Sequence, residues 1–258
     1  MGIIDVGSGP PLVLIPGIQG RWEWMSDTVA ALAQERRVIS SSLPGEPGAP
    51  LPWERSRGFD VFVDYVDALL DARQIASAVM CGVSFGGLIA LRYAARRPAR
   101  VDGLILVSTP GPRWTPVPRQ QRQIDWPRLS SPIFVAGALR RGWRELRVTY
   151  PSLPARLMFS ARAGARVLRA PAVPRRMAER ARLAIAEQFE PDCASVVART
   201  LVVTGERDLD AVVRPDDSLR YVTAITGAQY HLLERTGHLG TISAPHRFAA
   251  IVSRFLYG

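Results

Sequence analysis

Strand-length apolar runs alternate with stretches of helical period along the first 110 residues, and no other feature narrows the possible folds as far. Leu12 to Ile15 is a short apolar run closed by Pro16 and Gly17, after which Trp24, Val29 and Leu32 recur at helical spacing. A second run, Arg37 to Ser41, ends in the Pro/Gly-rich stretch Leu43 to Pro52, and Phe59, Phe62, Val63, Val66, Leu69 and Leu70 then trace one helix face. Ala78 to Cys81 and Gly103 to Ser108 are further strands, with a helix from Gly86 to Arg97 between them. Strands separated by helices form parallel sheets, so the fold class is α/β.

Beyond Pro110 the alternation stops. Helical pieces punctuated by Pro127, Pro132, Pro151, Pro154, Pro171 and Pro174 fill the next stretch. The pattern then resumes with a strand Leu201 to Thr204, a helix around Asp217 to Ala224, a strand Gln229 to Glu234 and a helix from Ala244 to Leu256. Residues 1–110 and 195–258 are therefore expected to form one core, and 111–194 an inserted helical cap.

Composition excludes several classes. With 47% hydrophobic and 22% charged residues in 258, the chain can bury a sizeable core, and its apolar runs fall far short of the roughly 20 residues of a membrane span. The amino terminus lacks the basic and apolar segments of a leader, and the expected location is cytoplasmic. Cys81 and Cys193 read as reduced core thiols. The histidines and cysteines have no metal-ligand spacing, and neither a P-loop nor a dinucleotide glycine fingerprint follows a strand, so no metal and no cofactor are expected. A net charge of +10 invites a nucleic-acid reading. All 33 basic residues are arginine, however, as compositional bias produces, and no nucleic-acid module is present.

One short motif carries chemistry. Gly82-Val83-Ser84-Phe85-Gly86 reads G-x-S-x-G where a strand meets a helix, and a turn that tight leaves no room for Cβ atoms two residues either side of the serine. A serine hydroxyl needs a base to take its proton and an acid to orient that base. Of three histidines, His231 lies within a strand and His246 within a helix, whereas His238 occupies a loop ahead of the last helix. Asp208, leaving the strand Leu201 to Thr204 in Gly205-Glu206-Arg207-Asp208, stands at the same sheet edge as Ser84, with Asp210 a rival two residues on. The chain order Ser, Asp, His is one of the known triad orders.

On these residues the chain resembles the α/β-hydrolase superfamily, with Gly82 to Gly87 as nucleophile elbow, Gly205 to Asp208 as acid loop and Gly237-His238 as histidine loop. The spacing of Asp208 from Gly205 matches that family's acid loop. The resemblance implies a mostly parallel sheet of eight strands or slightly fewer under the cap, and an oxyanion hole built from the backbone N–H groups of Ile18 and Phe85, with Gln19 as a third donor. Two positions depart from the family's pattern: Pro16 precedes Gly17 where His is frequent, and Ser243 stands where an acid often follows the histidine. A serine at the elbow excludes the aspartate chemistry of haloalkane dehalogenases and epoxide hydrolases. It fits cleavage of a carboxylic ester, with thioester, lactone or diketone carbon–carbon cleavage as variants of the same triad and a slow-turnover ligand sensor as an alternative outside catalysis. Gln19, Trp22, Trp114 and Trp143 are expected to line the substrate pocket.

The basic residues cluster. Between Gly111 and Arg199 stand seventeen arginines and six acidic residues, and Arg140, Arg144 and Arg147, then Arg162, Arg166 and Arg169, then Arg176 and Arg180, recur at helical spacing. Three readings fit such stripes: a solvated outer face of the cap, an anionic-substrate funnel, or peripheral contact with an anionic membrane.

Overall fold

The computed structural model describes residues 2–127, 140 and 142–258; the rest of the expected cap, residues 128–139 and 141, with Pro132, lies outside the described residues. Seven strands form one sheet: β1 (Ile3–Val6), β2 (Pro11–Ile15), β3 (Arg37–Ser41), β4 (Ala78–Val83), β5 (Val101–Val107), β6 (Thr200–Thr204) and β7 (Gln229–Leu232), in the spatial order β1-β3-β2-β4-β5-β6-β7. All neighbours run parallel except β1, which pairs antiparallel with β3, Ile3 opposite Ser41. Sequence patterning passes over β1, a half-exposed strand of four residues at the sheet edge. The chain moves from β2 outward to β3 on one side and from β4 through β7 on the other. The switch of direction therefore falls between β2 and β4, the place where open parallel sheets bind ligands beyond their carboxyl ends.

Both faces are covered, and the strands divide their side chains with period two. Val13, Ile15, Met80, Leu104 and Leu106 enter one core with Phe62, Tyr65, Leu69, Leu88 and Tyr93 from the helices Val61–Asp71 and Phe85–Arg96. Leu12, Leu14, Val79, Cys81 and Ile105 enter the other, against Val29 and Leu32 of the helix Ser26–Leu32 and Phe248, Val252 and Phe255 of the helix Pro245–Tyr257. Each such side chain, fully removed from water, contributes about 1.5–3 kcal/mol.

Between β5 and β6 the described residues hold helices and no strand: Pro118–Asp125, residues 142–149, Leu153–Arg169, Pro174–Ile185 and Glu190–Ser195. Glu190–Ser195 packs as part of the core, with Phe189 and Cys193 buried in the first cluster and Asp192 receiving the Arg92 guanidinium at 2.6 Å. Both cysteines are free and buried. Among the described residues no helix is long and apolar enough to cross a membrane.

Candidate active site

Ser84 sits between β4 and the helix Phe85–Arg96 with φ 55° and ψ −122°, a conformation that costs a non-glycine residue about 1–3 kcal/mol. Two backbone bonds hold it there: its N–H donates to Val107 at 2.7 Å, and its carbonyl accepts from Gly87 at 2.9 Å. The flanking glycines are a matter of space. A Cβ on Gly86 would stand 2.6 Å from the Pro16 carbonyl oxygen, and one on Gly82 2.5 Å from Gly87 Cα. The helix that starts at Phe85 aims N–H groups without intrahelical acceptors at the region beside the serine.

The loop after β2 passes over this elbow. It closes on itself through Gly20 N–H to the Gly17 carbonyl, 2.9 Å, and a Cβ placed on Gly17 would lie 3.5 Å from Ser84 Cβ and 2.8 Å from the side-chain oxygen of Gln19. Ile18 is anchored from the helical insertion: Arg180, on the helix Pro174–Ile185, donates to the Ile18 carbonyl at 2.9 Å, to the Pro44 carbonyl at 3.1 Å and to Glu46 at 2.9 Å. Arg180 and Glu46 are both wholly buried. Burial holds the Arg180 guanidinium below its ordinary range, with Glu46 opposing the shift. Arg176 reaches the other Glu46 oxygen at 3.3 Å. From the sequence this arginine is one member of an i, i+4 pair on a cationic stripe; only the packing of its helix onto the loops after β2 and β3 turns it inward.

The histidine pairs with Asp210. Nδ1 of His238 lies 3.2 Å from Asp210 Oδ2, while Asp210 Oδ1 accepts from the N–H groups of Val212 and Val213 at 3.0 and 2.9 Å. Asp208, the carboxylate favoured by the spacing from Gly205, is exposed, and buried Leu209 separates the two. Burial pushes the Asp210 carboxyl up, but the charge and hydrogen bond of His238 and the two N–H donors outweigh it and hold it below the usual carboxylate range. With Nδ1–H given to Asp210, Nε2 is the basic nitrogen of the ring. Gly205 and Gly237 let the two loops meet, since a Cβ on Gly205 would fall 2.6 Å from the Gly237 carbonyl. Glu206 stitches them further, its N–H donating to Thr236 and its side chain accepting from Arg235 N–H.

A second carboxylate stands behind the histidine. Glu145, on the helical residues 142–149, is buried and accepts from Leu239 N–H at 3.1 Å and from Ser243 Oγ at 3.5 Å. The acid that the sequence lacks at position 243 is thus supplied beside Ser243 by a different element. Burial lifts the Glu145 carboxyl above its usual range, against the N–H groups of Gly237 and Leu239 and the charge of His238 and together with the charge of Asp210.

A strained serine beneath an N–H-bearing loop, with an imidazole and a buried carboxylate on the neighbouring strand ends, coincides with the match of the family model for the alpha/beta hydrolase fold to residues 10–245. The chain belongs to the α/β hydrolase fold family. It is similar to other α/β hydrolases over nearly its full length. The pimeloyl-[acyl-carrier protein] methyl ester esterase of Nitrosospira multiformis is 26% identical across 97% of this chain and 96% of its own. The 2-hydroxymuconate semialdehyde hydrolase of a Pseudomonas species is 31% identical across 98% and 88%. Among solved structures, the enol-lactonase of Burkholderia xenovorans superposes with a TM-score of 0.76 at 22% identity, covering 99% of this chain and 96% of that one, which bears on the fold alone. The chain is a hydrolase of the α/β fold.

The other sequence-derived site residues of this α/β hydrolase scatter. Trp22 lies in the short 3-10 helix Trp22–Met25 and is half-buried, with its indole N–H out of contact with solvent. Trp114 packs against the first core cluster. Trp143 is exposed, with the Arg156 guanidinium stacked 5.5 Å from its ring centre. His231 pairs within β7 opposite Val203, and His246 is exposed at the start of the last helix.

Proposed function

We propose that this α/β hydrolase cleaves a carboxylic ester through an acyl-enzyme on Ser84, with His238 as general base and Asp210 as the acid that orients it. The observation that carries the reading is the Asp210–His238 contact at the carboxyl edge that also holds the strained Ser84. His238 Nε2 takes the Ser84 proton as Oγ attacks the carbonyl carbon, and the oxyanion is met by the N–H groups of Ile18 and Phe85. The proton then passes to the leaving alkoxide, and His238 deprotonates the water that attacks the acyl carbon and returns that proton to Ser84 Oγ as the acid leaves. Gln19, whose side-chain oxygen lies beside Gly17, is assigned in this reading to the wall of the substrate site.

The test is hydrolysis of p-nitrophenyl esters from acetate to laurate by wild type and Ser84→Ala. Turnover lost in the variant supports the acyl-enzyme route, and the preferred chain length measures the depth of the acyl site. Wild type inert on every ester would remove the ester reading. A second reading, hydrolysis of a carbon–carbon bond beside a ketone by the same three residues, is favoured by the 31% identity to the 2-hydroxymuconate semialdehyde hydrolase. A vinylogous 1,5-diketone turned over faster than any ester would select it.

A further inference from the structure

The helix Leu153–Arg169 has an outer face that nothing among the described residues covers. None of its 17 residues is buried, although it carries Leu, Met, Phe and Val side chains. Leu153, Leu157, Ala161, Gly164 and Leu168 fall at intervals of four and three residues, which stack one above another along an α-helix. Of these, Leu153 is 51% exposed, Leu157 54% and Leu168 84%, and Met158 beside them is 54% exposed. The helix is held to the rest of the molecule by its opposite side: Phe159 packs on Tyr150 with ring centres 5.5 Å apart, and Arg166 pairs with Asp27 at 2.5 Å. Just past its end, the Ala170 carbonyl accepts from the Trp24 indole at 2.8 Å. The apolar stripe is thus left pointing away from the core.

Charge flanks the stripe. Arg162 and Arg169 border it on one side and Arg156, lying over Trp143, on the other, and the helix contains no acidic residue. Between residues 140 and 182 twelve arginines face two glutamates, and one of these, Glu145, is buried beneath. Among the described residues, Arg144, Arg147, Arg162 and Arg169 enter no ion pair. A soluble surface helix ordinarily turns its apolar side inward and its charges out. Here an apolar strip faces outward between cations, over a length of about 25 Å.

We propose that this face docks the hydrolase on an anionic phospholipid surface, the leucines and Met158 entering the acyl boundary while the flanking arginines reach lipid phosphates. A helix lying in the interface plane needs an apolar strip with basic residues along its borders, and long arginine stems reach upward from such a strip to the headgroups. The exposed strip is a convex ridge on a single helix, a shape to which a fluid bilayer conforms without a groove. Nothing in this depends on which bond Ser84 cleaves.

The experiment is co-sedimentation of the full chain with phosphatidylcholine vesicles and with vesicles containing phosphatidylglycerol, in low and high salt. Each arginine near an anionic surface strengthens binding about fivefold, so the wild type is expected to sediment at least tenfold better with anionic than with neutral vesicles, and to be released as salt screens the attraction. Leu157→Gln/Leu168→Gln and Arg162→Gln/Arg169→Gln should each reduce sedimentation about tenfold or more. Both should keep the wild-type melting temperature and turnover of a short soluble ester, because these side chains are exposed. No sedimentation with anionic vesicles, equal sedimentation with neutral ones, or leucine variants that bind like wild type would each overturn the proposal. So would a wild-type dimer in light scattering that Leu157→Gln/Leu168→Gln converts to monomer, which would assign the stripe to a second copy of the chain.

Discussion

A carboxylate that is to hold an imidazole needs N–H donors of its own, and Asp210 has two, from Val212 and Val213, in a turn that its own side chain closes. Asp208 has water. In p-nitrophenyl ester hydrolysis, Asp210→Asn is expected to lower kcat roughly 10²–10⁴-fold and Asp208→Asn less than about twofold. The reverse ranking would return the role to Asp208. In the sequence both aspartates are turn residues after one strand; what separates them is which side of Leu209 faces the histidine, and that is decided by packing. Ser84 and His238 were legible because a glycine pattern at a strand-to-helix junction and a loop position after a strand are local properties. Glu145 was not, since its partners Leu239 and Ser243 lie more than ninety residues away. Its carboxyl is shifted up, so the native state holds that proton more tightly than the unfolded chain. The stability this contributes is complete below the ordinary carboxylate range and is lost as pH rises through the shifted value. Glu145→Gln, which cannot ionise, should therefore gain in melting temperature relative to wild type as pH is raised from about 4.5 toward 7. A constant difference across that range would mean that Glu145 is ionised without cost.

At the scale of elements, the helix Pro174–Ile185 contributes one guanidinium to the backbone of two loops. Arg180→Met would leave buried Glu46 with Arg176 at 3.3 Å as its remaining cation, at a cost of up to about 3–5 kcal/mol by denaturant unfolding, whereas Arg180→Met/Glu46→Leu should recover much of it. The double variant is the informative one for catalysis. Restored stability with kcat still depressed would show that the bond to the Ile18 carbonyl positions that loop, and recovery of both would reduce the pair to a structural role. The alternation of apolar runs and helical periods disclosed six of the seven strands because buried parallel strands are nearly continuous apolar segments, as in β4, every residue of which is buried. β1 escapes that signal because its edge position leaves its side chains half in water.

For the molecule as a whole, order should grade from sheet to surface. Strands β2, β4, β5 and β6 are walled by two apolar clusters, while the helix Leu153–Arg169 buries none of its residues. In hydrogen exchange the amides of Ala78–Val83 are expected to outlast those of Leu153–Arg169 by about three orders of magnitude or more, and comparable protection would show that the helix is covered in solution. The buried guanidinium of Arg180 is grown from the insertion, yet all its acceptors belong to the core. Grafting the insertion of a relative between Pro110 and Thr200 would therefore strand Glu46 without its cation unless the graft brings one to the same spot. Insertion and core of this chain are not separable parts, and a chimera built on it must trade Glu46 and Arg180 together.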